Sequence, residues 1–198
     1  MGYNSQTILM LRCMLNSKVK DYLILFGVAG VVIALDQWTK WLVRENIEFG
    51  GQWLPDWLSW LSPYARIVHW YNSGAAFGMF QDGNLIFTTL AFLVIGAILY
   101  YYPRVETQDW TLKAAMGLQL AGASGNLIDR LMRGKVTDFI SIGAFPVFNI
   151  ADASISVGVA ILLLGVWVKE RQDKALAAKA AEEKLRAESI AQVEETKS

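Results

Sequence analysis

The sequence predicts an all-α membrane protein with four transmembrane helices, and three observations carry that prediction. Four long apolar stretches are separated by polar connectors. Charge is scarce where they lie: 18% of residues are charged, against about 25% in an ordinary soluble domain, and 14 of those charges crowd into the last 30 positions. The connector after the first stretch holds Trp53, Trp57, Trp60 and Trp70, the residue type that settles at a membrane–water boundary.

The first stretch runs from about Tyr22 to Val43 and contains Asp36 and Lys40. It carries charges and no small-x-small site follows it, so it does not read as a cleaved signal peptide. The second, Gly83 to Pro103, is uncharged over 21 residues; about 20 residues of helix cross the ~30 Å of hydrocarbon. The third runs from about Trp110 to Leu131, and the fourth from Asp152 to Val168. In the first loop, Leu54 to Leu61 reads as a short interfacial helix, Ala65 to Tyr71 as a strand, and Asn72-Ser73-Gly74 as a turn. The chain therefore divides into a leader (1–20), a four-helix membrane body (21–168) with a loop at 45–82, and a charged tail (169–198). The tail is rich in Ala, Glu and Lys, which favour a solvated helix.

Orientation follows from basic residues near the spans. With four spans both termini share one side, which carries Arg12, Lys18, Lys20, Arg104, Lys113, Lys169, Arg171 and Lys174. The other carries Lys40, Arg44, Arg66, Arg130, Arg133 and Lys135. The excess favours cytoplasmic termini. Formal net charge is zero, so nothing points to nucleic acid. Cys13 and His69 are the only cysteine and histidine, which excludes an internal disulfide, a cysteine cluster and a multi-histidine metal site.

An ionised group at mid-bilayer costs about 2.5–3.5 kcal/mol on the insertion scale, so each one inside a span needs a reason. At 1.5 Å per residue, Asp36 and Lys40 lie about 22 and 28 Å along a first span that starts near Asp21. Asn126, Asp129 and Arg130 lie about 24–30 Å beyond Trp110 on the third, which runs the same way. Asp138 falls in the connector, and Asp152 opens the returning span. All of these groups gather at one membrane face. Asp36 and Lys40 share a helix face, as do Asn126, Asp129 and Arg130. A structural reading competes at each: ion pairs that lock helices, with Lys40 and Arg130 snorkelling outward, Asp152 as a plain helix N-cap, and Asp138 as a loop carboxylate beside Lys135.

Four segments together resemble signal peptidase II, the lipoprotein signal peptidase family. They are Leu35-Asp36-Gln37-Trp38-Thr39-Lys40; Asn72-Ser73-Gly74-Ala75-Ala76-Phe77-Gly78; Gly122-Ala123-Ser124-Gly125-Asn126-Leu127-Ile128-Asp129-Arg130; and Val136-Thr137-Asp138-Phe139-Ile140 with Phe148-Asn149-Ile150-Ala151-Asp152. The resemblance covers roughly Asp21 to Lys169. It implies that Asp138 and Asp152 are the catalytic aspartates. By the same resemblance Asn126, Arg130 and Asn149 line or brace the site, and Asp36, Lys40, Asn72, Gly74, Gly122 and Asp129 are further binding or bracing positions. It also implies a small extracytoplasmic β-sheet between helices 1 and 2, a bacterial cell (inner) membrane location, and a diacylglyceryl-modified prolipoprotein substrate met beside membrane lipid. The connector from Asp138 to Asp152 is short for the family.

The chemistry stands beside the resemblance. Two adjacent carboxylates cannot both ionise cheaply, so one keeps a proton. The ionised one takes a proton from water, and the protonated one donates to the oxyanion or leaving amine. No metal or cofactor is expected. Asp36 with Lys40, and Asp129 with Arg130, have basic neighbours that would hold them ionised and so make poorer candidates for the shared-proton pair. Three rivals fit less. A transporter needs polar groups at mid-bilayer and usually repeated halves. A Ser–His–Asp hydrolase would use His69 but lacks a nucleophile elbow. A structural subunit leaves the aspartates unexplained.

Overall fold

The computed structural model describes residues 5–72, 83–105 and 109–195, with side chains from 19 to 184 within those segments. It is mostly helical. Helix α1 spans Ser5–Asn46, α2 Asn84–Tyr101, α3 Trp110–Arg133 and α4 Ile150–Glu195. Strands β1 (Gln52–Trp53), β2 (Ala65–Asn72) and β3 (Val136–Ile142) form one antiparallel sheet in that order. A 3₁₀ helix, Asp56–Leu61, sits where the interfacial helix was expected.

Two helices run past their apolar stretches. α1 is already helical at Ser5, and α4 continues beyond Val168 through the tail, which is exposed on every side over residues 169–184. Ala, Glu and Lys are strong helix formers, so the solvated tail needs no packed face to continue the helix.

α3 is the central helix. Its small residues let neighbours approach closely, the usual solution where lipid supplies no hydrophobic drive between helices. A Cβ on Gly122 would stand 2.3 Å from the Ala151 carbonyl of α4, and one on Gly117 3.2 Å from Val28 of α1. Side-chain capping starts α3: Asp109 accepts from the Leu112 amide at 3.1 Å. Gly134, at φ 72°, ends it in the left-handed conformation that suits glycine. An apolar core built on Leu25, Ala29, Ile98, Met116 and Leu120 joins α1, α2 and α3. The same end holds an ion pair at 2.7 Å between the buried Lys113 and the partly exposed Asp21.

The outward faces are apolar. Leu23, Phe26 and Val31 of α1, Leu85 and Leu93 of α2, and Leu163 and Leu164 of α4 all stand more than half exposed. Continuous exposed apolar surface of this kind marks contact with something other than water. Asn84–Arg104 and Ile150–Lys184 are long and apolar enough to cross a membrane.

The sheet departs from expectation in one respect. It does not lie between α1 and α2 alone: β3, expected as a plain connector between the third and fourth spans, is its third strand. Trp70 pairs with Asp138 and Asn72 with Val136. The Val-Thr-Asp-Phe-Ile run has the β-branched and aromatic content that suits a strand, but only the partner offered by β2 makes it one. The register shifts between Ile67 and Trp70, the irregularity by which a strand re-aims its side chains. Asn72, expected to open a turn, is the last residue of β2, and Ser73 and Gly74 fall in residues 73–82, outside the described residues.

Candidate active site

The site forms where the C-terminal end of α3, the start of α4 and the β2–β3 ladder meet. β3 carries Asp138, 1% exposed. Asn72 stands opposite Val136, so its amide reaches diagonally across the ladder and donates to Asp138 Oδ2 at 3.0 Å. Asn149 precedes α4, and Asp152 lies three residues on. The two form a reciprocal cap: the Asp152 amide donates to Asn149 Oδ1 at 2.9 Å, and the Asn149 amide to Asp152 Oδ2 at 3.2 Å. The N-cap is thus Asn149, not Asp152, and Asp152 sits in the first turn of α4.

Asn149 joins the two carboxylates. Its Nδ2 donates to Asp138 Oδ1 at 2.7 Å, while its backbone amide holds Asp152. Asn126 of α3 donates to the other Asp152 oxygen at 2.7 Å, and its own Oδ1 accepts from Asn149 Nδ2 at 3.1 Å and from Lys40 Nζ at 3.0 Å. Burial pushes the Asp138 carboxyl up, the charge of Asp152 pushes it further, and the Asn72 and Asn149 hydrogen bonds pull back; it comes to about 7, against an ordinary 3.8.

Beneath this pair lies a buried charged layer. Lys40 is wholly buried, 2.8 Å from Asp36 and 3.3 Å from Asp129. It does not snorkel, because the carboxylates and Asn126 meet it inside the bundle. Asp36 also accepts from the Ala151 amide of α4 at 3.0 Å, and Gly125 leaves room for it: a Cβ there would stand 2.7 Å from Asp36 Oδ2. Asp129 accepts from the Thr137 amide of β3 at 3.1 Å. Its basic neighbours are Lys40 and Arg133, the latter 3.5 Å away, where Arg130 was expected. Arg130 turns instead over the Phe87 ring of α2, 5.5 Å from its centre. Gly122 touches no polar group of the site; it sets the α3–α4 approach that positions Ala151 and hence Asp152.

Asp152 opens on a groove of about 930 Å³, while Asp138 stays buried outside its lining. Asn72, Asn126, Arg130 and Asp152 line its polar end, and Leu90, Val94, Ile155 and Val159 its apolar length between α2 and α4. Apolar walls with a few convergent polar groups are the usual form of a binding site.

Every expected site residue except Gly74 lies within the described residues, and most converge here. Three participants were not foreseen. Thr137 receives Arg44 on its hydroxyl at 3.1 Å and donates its amide to Asp129. Arg133 faces Asp129, a pairing that its i,i+4 spacing signals. Gln37 bridges Asp36 and the Gly125 carbonyl at 3.1 and 3.0 Å; it stands in the Leu35–Lys40 segment, where it was given no role. His69 is buried in β2, with Nδ1 2.7 Å from the Ile47 carbonyl oxygen, and stays outside this network.

Residues 28–168 match the family described as Signal peptidase (SPase) II. The chain is 39% identical over 151 residues to "Lipoprotein signal peptidase" of Shouchella clausii, covering 74% of this chain and 95% of that protein. It is 38% identical over 156 residues to the protein of the same name from Halalkalibacterium halodurans, covering 77% and 97%. Among solved structures it is similar to a bacterial membrane enzyme determined by the in meso method at 2.3 Å resolution, with TM-score 0.65, 27% identity and coverage of 74% of this chain and 88% of that one.

Proposed function

This chain belongs to the signal peptidase II family, and from that membership we propose that it removes the signal peptide from bacterial prolipoproteins, cutting before the diacylglyceryl-modified cysteine with Asp138 and Asp152 as its catalytic carboxylates. The observation that carries the assignment is the Asn149 bridge, which holds one oxygen of each carboxylate and ties the buried Asp138 to Asp152 at the head of the groove.

The pair shares one proton. It rests on the buried Asp138, whose carboxyl is raised to about 7. Asp152, at the mouth of the groove, takes a proton from water, and the resulting hydroxide attacks the peptide carbonyl. Asp138 donates its proton to the developing oxyanion. When the tetrahedral intermediate collapses, the proton gained by Asp152 passes to the leaving amine of the cysteine, Asp138 takes a proton back from a hydroxyl of the gem-diol as the new carboxyl forms, and the shared-proton state is restored. Asn72 and Arg130 orient the substrate's backbone or lipid ester. Asp36, Lys40 and Asp129 hold α1, α3 and β3 in register beneath.

All four helices cross the membrane, with both termini cytoplasmic and the sheet and carboxylates at the outer face. The exposed apolar faces of α1, α2 and α4 support this. A lipidated substrate is already concentrated at that depth, at about 0.8 kcal/mol per buried CH₂.

The test is cleavage of one precursor with and without its diacylglyceryl group, in the same bilayer, by wild type and by Asp138→Asn and Asp152→Asn. Only the lipidated precursor should be cut, and each variant should lose on the order of 10²–10⁴ in rate while still accumulating in the membrane. Equal rates on both precursors would make this a general membrane peptidase. Near-normal turnover in either variant would remove that aspartate from the dyad.

A further inference from the structure

Two polar side chains that line the groove below the carboxylates are not used by the chemistry: Ser156, whose hydroxyl donates to the Asp152 carbonyl at 2.9 Å, and Gln119. Gln119 lies on α3 seven residues before Asn126, about 10 Å along the helix. It lines the groove and also a second cavity of about 500 Å³ that continues toward Asp109 and Arg104. The groove wall at this level is apolar, with Val94 of α2 opposite Ile155 and Val159 of α4. The stem of Gln119 is fixed by packing: a Cβ on Gly158 of α4 would stand 3.0 Å from its Cγ. Its Nε2 is buried and meets no hydrogen-bond acceptor among the described residues. A buried amide donor normally has a partner, and one left without calls for an explanation.

We infer that Gln119 is a positioning residue for the cleavage, donating its amide to a backbone carbonyl oxygen of the signal segment about three residues before the scissile bond. The inference rests on the substrate and topology proposed above. A signal segment enters as an apolar helix, but the bond to be cut must lie extended between the carboxylates. Where the helix ends, its last four carbonyls lose their intrahelical partners. Apolar surroundings offer them no water, so the protein must supply donors. Three extended residues span about 10 Å, the separation between the levels of Asn126 and Gln119. An acyl chain at this level would present no acceptor, so this part of the groove holds peptide rather than lipid.

The test uses the full-length enzyme in bilayers and semisynthetic lipidated precursors. In these precursors single backbone amides of the signal segment are replaced by esters, which weakens one carbonyl as an acceptor at each position. With wild type, kcat/KM should dip for the carbonyl three residues before the cut, or a neighbour of it, and not for carbonyls seven or more residues before it. Gln119→Met should lower kcat/KM about three- to tenfold on the all-amide precursor, the size of one neutral hydrogen bond, and should abolish the dip. Gln119→Asn should recover part of the loss if the shorter amide still reaches. A flat ester profile in wild type overturns the inference without any variant, and so does a Gln119→Met enzyme that cuts as fast as wild type or faster, the result an acyl chain in this slot would give. Failure of wild type to cut any lipidated precursor would sink the proposed function itself, a different outcome from either.

Discussion

Lys40 makes contact with three oxygen-bearing side chains, Asp36, Asp129 and Asn126, and water reaches none of its surface. A buried pair is not itself strong evidence of net stability, but removing one partner leaves an uncompensated charge. Lys40→Met would leave two buried carboxylates facing each other, so we expect a loss of about 3–5 kcal/mol in unfolding measurements in detergent. A variant within about 1 kcal/mol of wild type would show that water reaches this layer. Asp138 gives a second prediction at this scale. Its carboxyl stands at about 7 in the fold against an ordinary 3.8, so folding binds a proton. Its stabilising contribution is complete below the lower value and is lost as pH rises through the higher one. The melting temperature of wild type should fall more between pH 5 and pH 8 than that of Asp138→Asn. Turnover should decline above pH ~7, as the proton held by the pair is lost. A flat rate profile from pH 6 to 9 would contradict the shared-proton mechanism.

At the scale of the element, α4 is placed by what α3 lacks. Gly122 faces the Ala151 carbonyl, the Ile155 side chain and the Ser154 hydroxyl, all within 2.7 Å of where a Cβ would stand. One of these contacts is backbone, which cannot swing aside. Gly122→Ala should therefore push the first turn of α4 outward, carrying Asp152 away from Asn126, and should lower both stability and kcat. Gly96 on α2 is the control: nothing lies within 4 Å of a Cβ there, and Ala is the better helix former by up to about 1 kcal/mol. Gly96→Ala should be neutral or slightly stabilising with full activity. If the two substitutions behaved alike in melting and turnover, the close approach at Gly122 would not be what positions the site. β3 makes the complementary point. Its strand character comes from pairing with β2, and that pairing brings Asn72 to Asp138.

Over the whole molecule, two polar ends bracket an apolar belt. Asp21 and Lys113 mark one end. Asp36, Asn126 and the two carboxylates mark the other, 13 to 15 residues or about 20 Å further along α1 and α3. The apolar faces between these levels are exposed on α1, α2 and α4. A slab of hydrocarbon fits that belt with only the buried charge layer near its edge. The proposed orientation puts the Asp21–Lys113 end in the cytoplasm. A reporter fused after Ser198 should then read as cytoplasmic and one inserted at Gly51 as extracytoplasmic. Opposite readings would move the site to the cytoplasmic face.

By itself the sequence determined the helices, because apolar stretches of spanning length and a run of strong helix formers each act through local preference. It also marked the charged residues, because an ionisable group in an apolar span stands out whatever the fold. The i,i+4 pairing of Asp36 with Lys40 was legible for the same reason: helix geometry alone puts both on one face. Tertiary structure decided the rest. Arg130, the adjacent base, is not the partner of Asp129; Lys40, 89 positions earlier, is, because α1 packs against α3. Thr137 and Gln37 joined the network through a backbone amide and a backbone carbonyl, groups every residue carries and no motif advertises. The strand at Val136–Ile142 and the Asn149 bridge likewise needed partners distant in the chain. Local preference writes elements into a sequence, but which groups meet across elements depends on packing, and packing is a property of the whole chain.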